Sequence, residues 1–354
     1  MDTYLKLNAN CVISKGYTRS LLIDCSRKKH WFIPNDWADL LTKATLYKAE
    51  HLNTELHHYS KEEIDTFLLF LKKEGILEES KFYKIFPSPK ISTTFIDCLS
   101  IEIKPKSHKV NINAINELGV NKIRLISDNI QELERNLIHY KNVNNSTIHF
   151  VIPYRLAKKS NINLLAERTK HVKKIEIENS HFNDERTVNN VLIKFFRSSN
   201  KKYRLDYYSD PNTFHKYYNK RLFITAEGNV KNAQNTDFIF GNIQKTTLKT
   251  ILSKSNIKQL WQVEKKVIDV CQDCEFNAIC LDHRNLVKRK NNTWYSTEEC
   301  FYNPYIAKNA TDQNYLRLND CGIWSTKQGF KVEVEMFMRV LREVVTSPNQ
   351  LHIL

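Results

Sequence analysis

Glycine is scarce in this chain, with seven in 354 residues. Neither G-x-G-x-x-G nor G-x-x-x-x-G-K-[ST] occurs, which excludes the glycine-rich loops of dinucleotide and P-loop sites. No run of about 18 apolar residues is present, so no transmembrane helix is expected. The opening "MDTYLKLNANC" lacks the basic-then-apolar layout of a signal peptide. A cytoplasmic location is therefore expected, where disulfides are disfavoured and clustered cysteines read as metal ligands or redox groups. Lysine and arginine blocks are also missing. The net charge of +15 is diffuse, with +8 over 86–215 and +6 over 216–310. Such a spread reads as a solvated basic surface rather than a nucleic-acid stripe.

What is present divides the chain by pattern. "YLKLNANCVISK", "SLLIDC" and "HWFIP" read as three short strands. "PNDWADLLTKA" starts a helix with Asn35 or Asp36 as its cap. Ser60 and Glu63 form a capping box ahead of a second helix, which Gly75 ends. Strands, helix, helix and "ILEE" make a small winged-helix-like module over 1–85, and "FPSPK" (86–90) reads as a linker.

Residues 90–215 alternate. Strands are expected at "FIDCLSIEI", "KIRLIS", "STIHFVIP", "KKIEIEN" and "YRLDYY". Helices are expected at "NINAINEL", "NIQELERNLIHYK", "NLLAERTK" and "TVNNVLIKFF". This is an α/β pattern of β/α units around a parallel sheet, open or barrel-like in part. "RLFITAEGNVKNAQNTDFIFGNI" reads as a hairpin turning at Gly228-Asn229, and "LKTILSKSNIKQLWQV" as a helix leading to the cysteines.

Cys271, Cys274, Cys280 and Cys300 follow C-x2-C-x5-C-x19-C. Four thiolates suit one zinc or one [4Fe–4S] cluster, and the C-x-x-C bite brings two sulfurs together from one tight turn. His283 is a rival fourth ligand. Cys11, Cys25, Cys98 and Cys321 stand alone and read as small buried hydrophobes. Trp294, Tyr295, Phe301, Tyr302 and Tyr305 are expected to pack around the metal, with Asp282 and Arg284 bonding near its sulfurs.

"CQDCEFNAICLDHR", "WYSTEECFYNPYIAK" and "EGNVKNA…FGNI" resemble the SPASM-domain peptide maturases of grasp-with-SPASM systems. The resemblance spans roughly 1–309 and is most specific over 271–309. It implies a C-terminal Cys-rich SPASM domain at 216–310 and a radical SAM-like partial β/α barrel at 90–215. The 1–85 module is similar to a RiPP recognition element. Residues 311–354 form an extension of unknown role.

The resemblance also marks what is missing. A full SPASM domain holds two auxiliary clusters, yet Ala233 and Arg284 stand where the second would take cysteines, and no cysteine lies between Cys98 and Cys271. The radical SAM C-x3-C-x2-C is absent, so no S-adenosylmethionine and no independent radical chemistry are expected. The implied function is accessory. The chain would bind the leader of a ribosomally synthesised precursor peptide and present its core to an ATP-grasp ligase, with one Fe–S cluster. No catalytic residue is identified. The competing expectation, carried by charge and four cysteines, is a zinc-ribbon protein that binds nucleic acid.

Overall fold

In the computed structural model, residues 4–43, 58–80, 95–197, 214–254, 256–335 and 338 are described. The chain divides into two compact units. Unit 1 comprises Met1–Ile91, Tyr203–Lys216 and Glu264–Leu354; unit 2 comprises Ser92–Lys202 and Tyr217–Val263.

Unit 1 begins with four strands rather than the expected three. The side chain of Asn8 accepts from the Asn10 amide at 2.9 Å. This local turn is of the kind that competes with strand pairing. It separates β1 (Tyr4–Leu7) from β2 (Cys11–Lys15). β1 pairs antiparallel with β5 (Leu77–Ser80), while β2, β3 (Ser20–Asp24) and β4 (Lys29–Ile33) form an antiparallel sheet. Helix α1 spans Asn35–Lys43, and Asp36 accepts from the Trp37 amide. Asn35 serves the sheet instead, accepting from Ser20 Oγ and donating to the carbonyls of Gly16 and Tyr17. Helix α2 (Lys61–Lys73) carries the capping box of Ser60 and Glu63 in both directions, and Gly75 follows at φ 63°.

All five residues of β3 are buried. Leu22 faces a core with Ala38, Leu41 and Leu71 from the two helices. Leu21 and Ile23 face the opposite way, onto Phe276, Ile279, Cys280 and Tyr302. Alternate side chains of one strand thus enter two different cores.

Among the described residues, unit 2 forms a nine-stranded mixed sheet in the order β10-β11-β9-β8-β7-β6-β12-β13-β14. β6 (Ile96–Glu102), β7 (Val120–Ile126), β8 (Thr147–Pro153) and β9 (Val172–Ser180) run parallel. The connecting helices are α3 (Ile112–Glu117), α4 (Ile130–Tyr140), α5 (Tyr154–Lys159) and α6 (Ile162–Arg168). Asn111, Asn129 and Asn161 cap α3, α4 and α6 through their side chains. Each occupies a position that otherwise leaves amides unsatisfied.

The expected helix "TVNNVLIKFF" is a hairpin instead. β10 (Asp184–Val188) and β11 (Val191–Arg197) pair antiparallel, with Asn189 and Asn190 at φ 47° and 66°. Two consecutive left-handed residues suit the tight hairpin turn that asparagine favours, and Val191, Ile193 and Phe195 alternate into the core. The predicted strand "YRLDYY" lies outside the described residues, as does the "FPSPK" linker.

β12 (Arg221–Ile224) adds parallel to β6, and β13 (Asn229–Lys231) and β14 (Gly241–Asn242) extend that edge. The helix expected next is two short ones, α7 (Leu248–Lys254) and α8 (Ile257–Trp261).

One apolar core joins α3, α4, α6, α7 and α8 to Leu99, Ile101, Ile123, Leu125, Phe150, Ile175 and Leu222 of the strands. The alternate strand residues carry charge. Arg124 donates to Glu176 at 2.8 Å, and Lys174 and His149 also approach that carboxylate. Among the described residues the helices pack on one face of the sheet, and the opposite face carries these charged groups beside the buried Cys98 and Val151. Among the described residues, no helix is long and apolar enough to cross a membrane.

Burial raises the pKa of Glu176, but Arg124, His149 and Lys174 outweigh it and hold the carboxyl well below its usual range. A depressed carboxyl stabilises the fold above the unfolded pKa, about 4.3, and that stability is lost as pH falls below it. Glu176→Gln is expected to cost about 3 kcal/mol at pH 7 by leaving Arg124 without its closest anion. It is also expected to flatten the acid side of the stability curve, as urea unfolding at a series of pH values would report.

Candidate metal centre

Residues 264–310 have few long elements, and their shape comes from turns. A 3-10 turn at Lys265–Val267 is followed by another at Cys271–Asp273. Between them Val270 adopts φ 65°, a strained conformation for a β-branched residue. The Cys274 amide bonds to the Cys271 carbonyl, the Asn277 amide to Cys274, and the Cys280 amide to Phe276. These successive tight turns present Cys271, Cys274 and Cys280 from ten residues of chain. Cys300 comes from the segment that enters the small hairpin of β17 (Tyr302–Asn303) and β18 (Lys308–Asn309).

The four thiols share one neighbourhood. Cys274, Cys280 and Cys300 pack into the apolar cluster that contains Leu21, Ile23 and Phe276. Cys271 and Cys280 are buried, and Cys274 and Cys300 are half-buried. Burial pushes the Cys271 thiol up to about 12, against the opposing charge of Lys265. Cys274 is pushed well above the usual range by burial, then by Glu275, Cys280, Cys300 and Cys271. Burial likewise raises Cys280, with Lys265 opposing.

Among the described residues, no three His, Cys, Asp or Glu side chains are grouped as a single metal ion would need. A zinc–sulfur bond of about 2.3 Å would bring tetrahedral thiolates to about 3.8 Å from one another. The donor set is soft, four-fold and mutually repelling once deprotonated, which fits a thiolate-ligated group. His283 is exposed.

The surroundings of the sulfurs are charged. Asp282 Oδ2 accepts from Cys271 Sγ at 3.7 Å. Arg284 donates to both oxygens of Asp282, at 2.9 and 2.6 Å, and to Cys271 Sγ at 3.5 Å. Burial raises the Asp282 carboxyl, but Arg284 and Lys265 hold it below the carboxylate range. Arg284 salt-bridges Asp282 beside Cys271. Ala233 is buried in unit 2.

A second set of residues, which spacing did not reveal, docks the N-terminal sheet on the cysteine segment. Arg19 Nε donates to Glu275 Oε1 at 2.8 Å, and the Tyr302 hydroxyl donates to the same oxygen. Ser14 Oγ donates to Asn277 Oδ1 at 2.8 Å, and the Tyr17 amide to the Asp273 carbonyl at 2.7 Å. Phe32 meets Phe276 edge-on at 5.8 Å. Trp294 and Tyr305 are buried, and Tyr305 donates to Asp273 at 2.7 Å.

In unit 2, a cavity of about 30 Å³ is bordered by Ser100, Arg124, Tyr217, Arg221, Asn232 and Gln234. That is far below the roughly 300 Å³ of a small-molecule pocket.

The family model described as "SPASM: Iron-sulfur cluster-binding domain" matches residues 216–275. The match takes in Cys271 and Cys274 and stops short of Cys280 and Cys300. Among solved structures, the chain is similar to Streptococcus suis SuiB bound to S-adenosylmethionine, at 9% identity and TM-score 0.31 over 78% of this chain and 94% of that one. SuiB bound to its precursor peptide SuiA gives 10% identity and TM-score 0.31 over the same shares. Likeness at that level establishes neither fold nor function. No curated protein gives a significant sequence match.

Arg19→Ala is expected to cost about 3 kcal/mol, because it leaves the fully buried Glu275 without its cation. Gly16→Ala is expected to cost about 1–3 kcal/mol, since a Cβ there would lie 2.6 Å from the Arg19 carbonyl and 2.7 Å from the Glu275 amide. Denaturant midpoints of the two variants measure both effects.

Proposed function

We propose that the chain is a binding and scaffold protein in the maturation of a ribosomally synthesised precursor peptide. Cys271, Cys274, Cys280 and Cys300 hold one [4Fe–4S] cluster. Support comes from the iron–sulfur description of the matching domain model. It also comes from the packing of Cys274, Cys280 and Cys300 into one apolar cluster, with Cys271 close enough to them to contribute to the raised pKa of Cys274. When bound, the cluster supplies a one-electron acceptor and a four-point staple for a segment with little regular structure.

The observation that carries the peptide reading is β4. Among the described residues it pairs with β3 alone and forms the edge of the three-stranded sheet. Its Phe32 lies against Phe276, two residues beyond Cys274. An extended peptide added to that edge gains main-chain hydrogen bonds and runs beside the cysteine segment.

In this reading residues 1–85 are a winged-helix-like leader-recognition module. Residues 90–215 are a radical SAM-like β/α scaffold without its cluster motif, and the one-face placement of the helices is compatible with a partial barrel. Residues 216–310 are a SPASM domain with one four-cysteine site, and 311–354 an extension. Within it, β19 (Gly322–Ser325) and β20 (Gly329–Val332) form a hairpin. An ATP-grasp ligase partner activates the carboxylate of the core peptide; the chain presents it.

The test takes each short open reading frame that neighbours the gene and synthesises it as a fluorescent peptide; finding none contradicts the reading. Anisotropy is measured at about 50 mM and about 500 mM salt. Apolar strand addition predicts binding that changes little with salt and is not displaced by duplex DNA. The reading is contradicted by no binding, or by DNA binding that falls a thousandfold or so across that range.

A further inference from the structure

A buried N–H without an acceptor costs its full desolvation, so such donors are rare inside proteins. Unit 2 has two of them at one place. Arg124 on β7 and Arg221 on β12 project from the sheet face opposite the helices, since Ile123, Leu125, Leu222 and Ile224 beside them enter the apolar core. Ser100 of β6 lies between the two strands, opposite Arg124 on one side and Phe223 on the other. Neighbouring strands are about 4.8 Å apart, which brings both long side chains over β6. Arg124 uses Nη2 on Glu176 at 2.8 Å and Glu178 at 3.4 Å. The Nε atoms of Arg124 and Arg221 are both buried, and neither has a hydrogen-bond partner among the described residues. Asn232 is 1% exposed. Its Nδ2 donates to the Tyr218 carbonyl at 3.1 Å, which leaves Oδ1 as a buried acceptor without a partner. Arg124, Arg221, Ser100 and Asn232 border one cavity of about 30 Å³. At roughly 10–15 Å³ for each, it admits two water-sized groups. That is too small for a whole ligand and suits the end of one. Two donors facing two such positions call for a group with two acceptor oxygens. A carboxylate has that form and takes charge-assisted bonds from guanidinium donors. Asn232 Oδ1 calls for a donor next to those oxygens, which the N–H of an amino-acid residue supplies.

We propose that this cavity is a carboxylate subsite for a peptide: Arg124 and Arg221 donate through Nε to the two oxygens, and Asn232 accepts from the N–H beside them. A carboxylate with its own N–H close by belongs to the C-terminal residue of a peptide or to an aspartate within one. The proposal rests on the peptide-maturation reading above and adds the chemical group by which the substrate is held in unit 2. No bond is made or broken.

The test titrates the full-length protein, carrying isotope-labelled arginine, and follows the Nε–Hε resonances by NMR. The Arg221 signal is identified by its loss in Arg221→Lys. The probes are N-acetylalanine for a C-terminus, N-acetylaspartate methylamide for an aspartate, N-acetylalaninamide as the neutral control, and inorganic phosphate. The expected result is a saturable movement of the Arg221 signal with an acid, at a Kd of about 1 mM, and at least about tenfold weaker binding of the neutral amide. The acid that binds more tightly identifies the source of the carboxylate. Arg221→Lys is expected to weaken that binding at least about tenfold while the rest of the spectrum is unchanged. Calorimetry of acid against amide on the wild type makes the same comparison without any variant having to fold. An unmoved Arg221 signal overturns the proposal, and so does equal binding of acid and amide. Phosphate binding as tightly as either acid also overturns it, because the site is then one for any small anion. The anisotropy experiment above tests the peptide reading with whole peptides, so its failure is distinguishable from a failure here.

Discussion

Strand β3 is buried on both faces, and unit 1 is organised around that constraint. Leu22 needs α1 and α2 on one side, while Leu21 and Ile23 need the cysteine segment on the other. Each such side chain contributes about 1.5–3 kcal/mol when fully buried. The N-terminal module is therefore not complete without residues from the far end of the chain. The Arg19–Glu275–Tyr302 bonds add direction to that apolar contact. They join the β2–β3 turn to the residue that follows Cys274. Metal binding supplies folding free energy of the order of 10 kcal/mol in small zinc domains. Here its effect would reach β3 through Phe276 and Cys280.

The electrostatics of the cysteine group follow from the same burial. Thiols in an apolar setting resist deprotonation, yet thiolates are what a metal takes. Lys265 and Arg284 both act to lower the pKa of Cys271, against the larger effect of burial.

Legibility in the sequence varied with range. Elements fixed by local chemistry could be read: the Ser60–Glu63 box, Gly75, and the alternation of strand and helix over 96–180. The short cysteine spacing also pointed to Cys271, Cys274, Cys280 and Cys300 as a group, and the structure brings them into one neighbourhood. "TVNNVLIKFF" forms a hairpin and not a helix because a run of apolar residues supports either period, and the Asn-Asn pair decides for the turn. "SLLIDC" showed a strand, but not that its uninterrupted apolar run meant two covered faces. Lys265 and Glu275 could not be found by pattern at all. A buried lysine looks like any surface lysine until the fold removes its water, and Glu275 acquires its role only when Arg19 arrives from 256 residues away.

The most direct measurement is the iron, sulfide and zinc content per chain of the protein isolated without oxygen, alongside its Cys274→Ser variant. The account predicts about four irons and four sulfides, as one cuboidal cluster requires, lost together in the variant. One zinc with no sulfide would contradict it, as would metal retained after Cys274 is removed.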